Sequence, residues 1–191
     1  MTASNTTRVH PGLYRPEFEH DSCGFGLIAQ MDGVVSHDLV SKAILALGRM
    51  THRGAVAADG KSGDGCGLLM SKPDRFLREV AAEGGMTLAA RYGVGVIFHA
   101  PGSDVAAQRA GLESALQDEG LEVAGWRVVP VNEEACGKEA LTTRPTIEQV
   151  FVNAPDDLDG DALERRLFVA RRVAEKQLAG ADTLALIEQG Q

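Results

Sequence analysis

The chain has no run of apolar residues approaching the roughly 18 needed for a membrane-spanning helix, and its first residues lack the basic stretch and apolar core of a secretory signal. Cysteine is scarce. Cys23, Cys66 and Cys136 are widely spaced and form no CxxC pair, which argues against a zinc site, an iron–sulfur site or a disulfide framework in this chain. A reducing cytoplasm is the expected compartment. Positive charge is also short, with 19 Lys and Arg against 27 Asp and Glu and a formal net charge of −8. Nucleic-acid binding needs a clustered positive face, so neither nucleic acid nor membrane is an expected partner. Aromatics make up only 5% of the residues. What is present is globular: 44% hydrophobic and 24% charged residues over 191 positions, enough for one domain with a sizeable core or for two small ones.

Residues 1–22 are polar and carry Pro11 and Pro16, which reads as an extended lead-in. CGFGLIAQ, residues 23–30, suits a buried strand thinned by Gly24 and Gly26. Ser36 is placed to cap a helix through Val40, Ala43, Ile44 and Leu47, fading at Thr51–Gly54. Residues 54–65 form a glycine-rich loop, and GCGLLM at 65–70 reads as a second strand. Pro73 opens a helix with Phe76, Leu77 and Val80 on one face. Strands are expected at Tyr92–His99, at 121–131 with an interruption at Gly125, and at 146–152. Between the first two, Ser103 caps a helix carrying Val105, Leu112 and Leu116, closed by Gly120. Asp161 and Glu164 resemble a capping box opening a last helix through Leu163, Leu167, Ala170, Ala174 and Leu178. Residues 182–191 look too short to complete another layer. This order, taken blind, suggests an α/β domain.

The chemistry centres on Cys23. On residue type alone a free cysteine is usually a small buried hydrophobe. Two further segments follow it, however: Thr51-His52-Arg53-Gly54-Ala55 at a helix end, then Ser62-Gly63-Asp64-Gly65-Cys66-Gly67. The strings GLYRPEFEHDSCGFGLIA and LGRMTHRGAVAADGKSGDGCGLL, followed by YGVGVIFH, GWRVVPV, RPTIEQVFV and LERRLFVARR, resemble the class II glutamine amidotransferase domain that begins the glutamate synthase large subunit. The resemblance runs from about residue 11 to 178.

That resemblance replaces the α/β expectation with an α+β fold, the four-layer α-β-β-α sandwich of N-terminal-nucleophile hydrolases, of which this chain would hold the first half. It implies that residues 1–22 are a propeptide cut between Ser22 and Cys23, and that 23–191 are the N-terminal part of the amidotransferase domain. Cys23 would be the nucleophile. Arg53, in the family's HRGA motif, would hold the geometry and electrostatics of the site, although a helix-end arginine also suits carbonyls and the helix dipole. His52 is assigned to packing, and no substrate-binding residue is assigned. L-Glutamine is the implied substrate, with the remainder of the large subunit as partner and the small subunit as a candidate partner. FMN and an iron–sulfur cluster belong to the family's later domains, and no cofactor is expected in this chain.

The SGDG segment lacks both GxxxxGK[ST] and GxGxxG, so a tight turn is preferred to a phosphate loop. Cys66 stands where the family commonly has alanine, and Cys136 lies in a polar stretch. Neither a Ser-Arg-Phe-Ser-Thr run nor a His-Asn-Gly-Glu run occurs, although the family uses these for the glutamine carboxylate and the oxyanion. The alternative reading is therefore a non-catalytic fragment or interaction module retaining half of the fold.

Overall fold

The computed structural model describes residues 24–50, 56–63 and 65–177, and the backbone of 183–188. The chain divides into two units, 1–55 and 56–191.

In the first unit the described element is α1, His37–Gly48. Ser36 caps it as expected: its backbone is extended and its hydroxyl accepts from the Leu39 amide at 3.4 Å. Val40, Ala43 and Leu47 are half-buried, but Ile44 is exposed. Gly24–Gln30 is not a strand. It is irregular chain with Phe25 and Leu27 almost fully exposed, because an apolar run becomes a strand only where another strand accepts its hydrogen bonds.

The second unit contains α2 (Asp74–Glu83), β1 (Tyr92–His99), α3 (Val105–Asp118), β2 (Glu122–Val128), α4 (Lys138–Thr143), β3 (Thr146–Asn153), α5 (Gly160–Gln177) and β4 (Thr183–Glu188). The sheet order is β2-β3-β1-β4, and every pairing is antiparallel. From β1 to β4 the path is therefore β-α-β-β-α-β, with β3 inserted between β1 and β2. This is the split βαβ, ferredoxin-like arrangement. The α+β class holds, while a second sheet is not formed among the described residues. Residues 183–188 add no layer, as expected of so short a segment, and extend the sheet by one strand.

Side chains alternate across the pleat. Ile97 of β1 and Val150 and Val152 of β3 meet Leu112, Ala115 and Leu116 of α3 and Leu163, Leu167, Ala170 and Ala174 of α5. The opposite face carries Tyr92, Val94 and Phe151, covered by Leu77, Val80 and Ala81 of α2. Each fully buried leucine contributes about 1.5–3 kcal/mol. The register of β2 slips between Val123 and Gly125. This bulge puts Val123 and Trp126 against the same core although they are three residues apart.

Local signals explain most boundaries. Gly120, with φ +70°, closes α3 as expected. The cap at its start is Asp104 rather than Ser103: Asp104 accepts from the Ala107 amide at 3.0 Å, while Ser103 donates to the Ala100 carbonyl. Likewise Asp159, not Asp161, caps α5 by accepting from Ala162 at 2.7 Å. GCGLLM is not a strand, and Leu69 is 78% exposed. Tyr92 pins α2 to the sheet, its hydroxyl donating to Asp74 at 2.8 Å and its ring contacted by Lys72 and the Arg78 guanidinium.

Gly93 is required by contact. A Cβ there would lie 2.7 Å from Leu167 Cδ1. Gly93→Ala should cost about 1–3 kcal/mol through overpacking, and Leu167→Ala about 2–5 kcal/mol. In urea unfolding of the double variant, the two costs should sum to less than their separate values, because removing the leucine makes room for the methyl.

Candidate functional site

Cys23, Arg53 and His52, the residues singled out from the sequence, lie outside the described residues, as does Asp64 of the SGDG segment. The described parts of the same motifs show what holds them. Val56–Gly63 is a turn closed by an antiparallel bridge between its end residues and by Ala57 N–H donating to the Ser62 carbonyl at 2.7 Å. Ser62 and Gly63 form the returning limb of this turn, while the tight turn expected at 62–65 includes Asp64, outside the described residues. Cys66, after it, is exposed, and Cys136 is half-buried at the end of a short 3-10 turn, Glu133–Ala135.

The organiser of the loop is Asp59. Its Oδ1 accepts from the Lys61 amide at 2.9 Å and the Ser62 amide at 2.7 Å. Its Oδ2 accepts from the Ser62 hydroxyl at 2.6 Å and the Glu139 amide at 3.2 Å. The Ser62 hydroxyl in turn accepts from the Ala140 amide at 3.0 Å. Led by the Ser62 hydroxyl, these donors hold the Asp59 carboxyl well below the usual carboxylate range, against a smaller desolvation effect. Sequence reading saw only a glycine-rich loop here. The available signal was Asp-Gly-x-Ser, in which an Asp side chain folds back on its own turn.

A second polar cluster sits inside the sheet-on-helix core. Glu148 of β3 is 1% exposed, yet it faces the same side as Val150 and Val152. Arg109 of α3 donates to both of its oxygens, through Nε at 2.7 Å and through Nη2. His99 Nε2 lies 3.1 Å from Glu148 Oε2, and its Nδ1 lies 2.5 Å from Gln108 Oε1. The Arg109 guanidinium also stacks over Trp126, whose indole N–H donates to Glu113 at 2.6 Å. Arg109 holds the Glu148 carboxyl below its ordinary range even though burial pushes the other way. A charged residue amid the apolar alternation of β3 was a legible sign of this pair. Trp126 and Arg127 are half-buried on β2, an outer strand of the sheet.

Arg109→Ala leaves a buried carboxylate short of two donors and should cost about 2–3 kcal/mol in chemical denaturation; Arg109→Lys, lacking the fork, should restore only part. Because the folded pKa of Glu148 is depressed, its contribution is full above the unfolded value of about 4.3 and is lost as pH falls through the folded value. Stability measured against pH should therefore be level from about pH 5 to 8 and decline below about pH 4. Glu148→Gln should flatten that decline.

Among the described residues no group of three or more His, Cys, Asp or Glu side chains is placed to hold a metal ion, and no helix is long and apolar enough to cross a membrane.

Comparison with known proteins places these motifs. The pattern of the family described as "Glutamine amidotransferases class-II" matches residues 23–186. The glutamate synthase [NADPH] large chain of Bacillus subtilis is 41% identical over 169 residues, 86% of this chain and 11% of that protein. Ferredoxin-dependent glutamate synthase 2 of Synechocystis is 41% identical over 187 residues, 94% of this chain and 12% of that protein. The large chain of Azospirillum brasilense glutamate synthase [NADPH] is 39% identical over 171 residues, 87% of this chain and 11% of that protein. The chain thus spans about a tenth of the length of these relatives. The family match runs through most of β4, so the segment 182–186, which the sequence reading set apart, belongs with the rest. From residue 23 to residue 186, this chain belongs to the class II glutamine amidotransferases.

Proposed function

We propose that the chain is the N-terminal part of the glutaminase domain of a glutamate synthase, releasing ammonia from L-glutamine through a thioester on Cys23. The observation that carries the reading is that the family match begins at Cys23, the residue a propeptide cut after Ser22 would leave at the N-terminus.

The chemistry follows from acidity. A free thiol with pKa near 8.5 is about 3% thiolate at pH 7, and a carboxamide is a poor electrophile. A freed α-amine at Cys23, with pKa about 7.7–8.0, would take the thiol proton. The sulfur would then add to the amide carbon, and the C–N bond would break as the proton passes to the departing ammonia. Water would cleave the thioester to give glutamate and restore the thiol. Before cleavage of the 22–23 bond that nitrogen is an amide without basicity, so removal of residues 1–22 would switch the enzyme on. Arg53 would favour the thiolate.

The N-terminal-nucleophile sandwich needs a second sheet against the first. The face of the βαββαβ sheet opposite α3 and α5 suits that role, because α2 covers only one end of it and Val96, Phe98 and Ile147 remain half-buried. The solvent-facing run at Gly65–Met70 is an apolar segment of the same unit available for that second sheet. FMN and an iron–sulfur cluster would serve the later amination and reduction of 2-oxoglutarate in other domains, and the glutaminase step uses neither. Within these 191 residues the family's Asn-Gly oxyanion donors are not found. Loss of one such donor costs about 10²–10³ in rate, so the 191-residue chain by itself should turn over glutamine poorly or not at all.

Treatment with 6-diazo-5-oxo-norleucine, with the adduct and the N-terminus located by peptide mass spectrometry, tests this reading. In an amidotransferase that retains its downstream sequence, labelling should fall on an N-terminal Cys23 and disappear in Cys23→Ser. Full glutaminase activity in a protein that keeps Met1 would overturn the N-terminal-nucleophile mechanism.

A further inference from the structure

We propose that Gln108 is a two-position amide that follows the proton on the His99 ring. It accepts from the imidazolium through Oε1 and, after a half-turn, donates to the neutral ring through Nε2. The parts all lie in the second unit: His99 at the end of β1, Gln108 on α3 and Glu148 on β3, each of them buried.

The two ring nitrogens meet different neighbours. Nε2 lies against Oε2 of Glu148, and both oxygens of that carboxylate accept from the Arg109 guanidinium. A carboxylate held in this way has only lone pairs to offer, so the nitrogen facing it keeps its proton in either state of the ring. Nδ1 lies 2.5 Å from Gln108 Oε1, and an amide oxygen also only accepts. The observed orientation of Gln108 therefore fits a ring protonated on both nitrogens. Loss of the Nδ1 proton would leave two acceptors face to face in a buried site, which is unfavourable unless the amide turns.

The far end of the amide leaves it free to turn. Gln108 Nε2 is buried and has no hydrogen-bond partner. Buried amides are normally locked because oxygen and nitrogen each hold a partner of their own. Here a half-turn exchanges an orphaned nitrogen for an orphaned oxygen and changes only the end that meets His99. The two ends are almost equal in size and the last side-chain torsion is soft, so the core need not move. Among the described residues, the Nδ1 contact alone decides the orientation.

The surroundings admit both states. The charged groups facing the ring are Glu148 from β3 and Arg109 from α3, and Glu113 acts in turn on Arg109. In the sheet, His99 is in register with Thr146 of β3 and Thr183 of β4. The α5 side chains of the adjoining core, Leu163, Leu167, Ala170 and Ala174, are apolar. With the imidazolium, the set of His99, Glu148 and Arg109 carries one net positive charge, which the partly exposed Arg109 brings to solvent. With the neutral ring the set is balanced.

NMR of the ¹⁵N-labelled 191-residue chain between about pH 5 and 9, a span around the ordinary histidine range, tests the coupling. The imidazole nitrogens of His99 show which of them carries a proton, and the Gln108 side-chain amide shows its partner. Nε2 should stay protonated throughout, while Nδ1 and the Gln108 amide change with one midpoint. A coupling across an Nε2–H···Nδ1 hydrogen bond from Gln108 should be present in the neutral form and absent from the imidazolium, which separates a turned amide from one that merely senses the ring's charge. Gln108→Glu, whose carboxylate only accepts, should keep the Nδ1 proton to a pH at least about one unit higher. The wild-type titration decides even where that variant does not fold. Neutral His99 without the coupling to Gln108 would overturn the proposal, as would a ring that holds one protonation state across the range or a neutral ring protonated on Nδ1.

Discussion

The second unit hangs on the double burial of β3. Its backbone is hydrogen-bonded on both sides, to β1 and to β2. Its side chains are buried on both faces, Val150 and Val152 toward α3 and α5 and Phe151 toward α2. A strand so enclosed has no freedom of register, because a shift of one residue would exchange Phe151 with the valines and turn every neighbour to the wrong face. The positions of β1 and β2 follow from β3, and that of β4 follows from β1.

Glu148 strengthens that constraint by a different means. An apolar strand can slide and still bury apolar surface, but a buried carboxylate has to meet its donors. Arg109 and His99 approach it from α3 and from β1, so one side chain on β3 ties that strand to two elements 39 and 49 residues earlier in the chain. The net stabilisation from such a pair is small compared with an apolar replacement. Its effect is to penalise any arrangement in which the three elements do not meet.

Much of this was legible beforehand, and the failures have two causes, competition between neighbouring caps and dependence on distant partners. β1 and β3 stood out by apolar content and length, α1 by Ser36, and the closing of α3 by Gly120, because each signal is local. The capping errors at Ser103 and Asp161 arose where two capable residues stood one or two positions apart. Gly24–Gln30 and Gly65–Met70 read as strands because an apolar run reports burial, while a strand also needs a partner that no local pattern reveals. α4 escaped notice because its cap comes from Asp59 and Ser62. The candidate nucleophile and arginine, by contrast, were readable only as motifs, through Cys23 and the residues around Arg53. Their placement is outside the described structure.

The bulge in β2 has a consequence for how this sheet can associate. A flat outer strand offers its amides and carbonyls to any passing chain, and bulges at sheet edges interrupt that offer. With the register broken between Val123 and Gly125, the β2 margin presents a kinked, out-of-step ladder that a straight incoming strand cannot follow along its length. Growth of the sheet therefore has a polarity: it is blocked on the β2 side and confined to the margin bounded by β4.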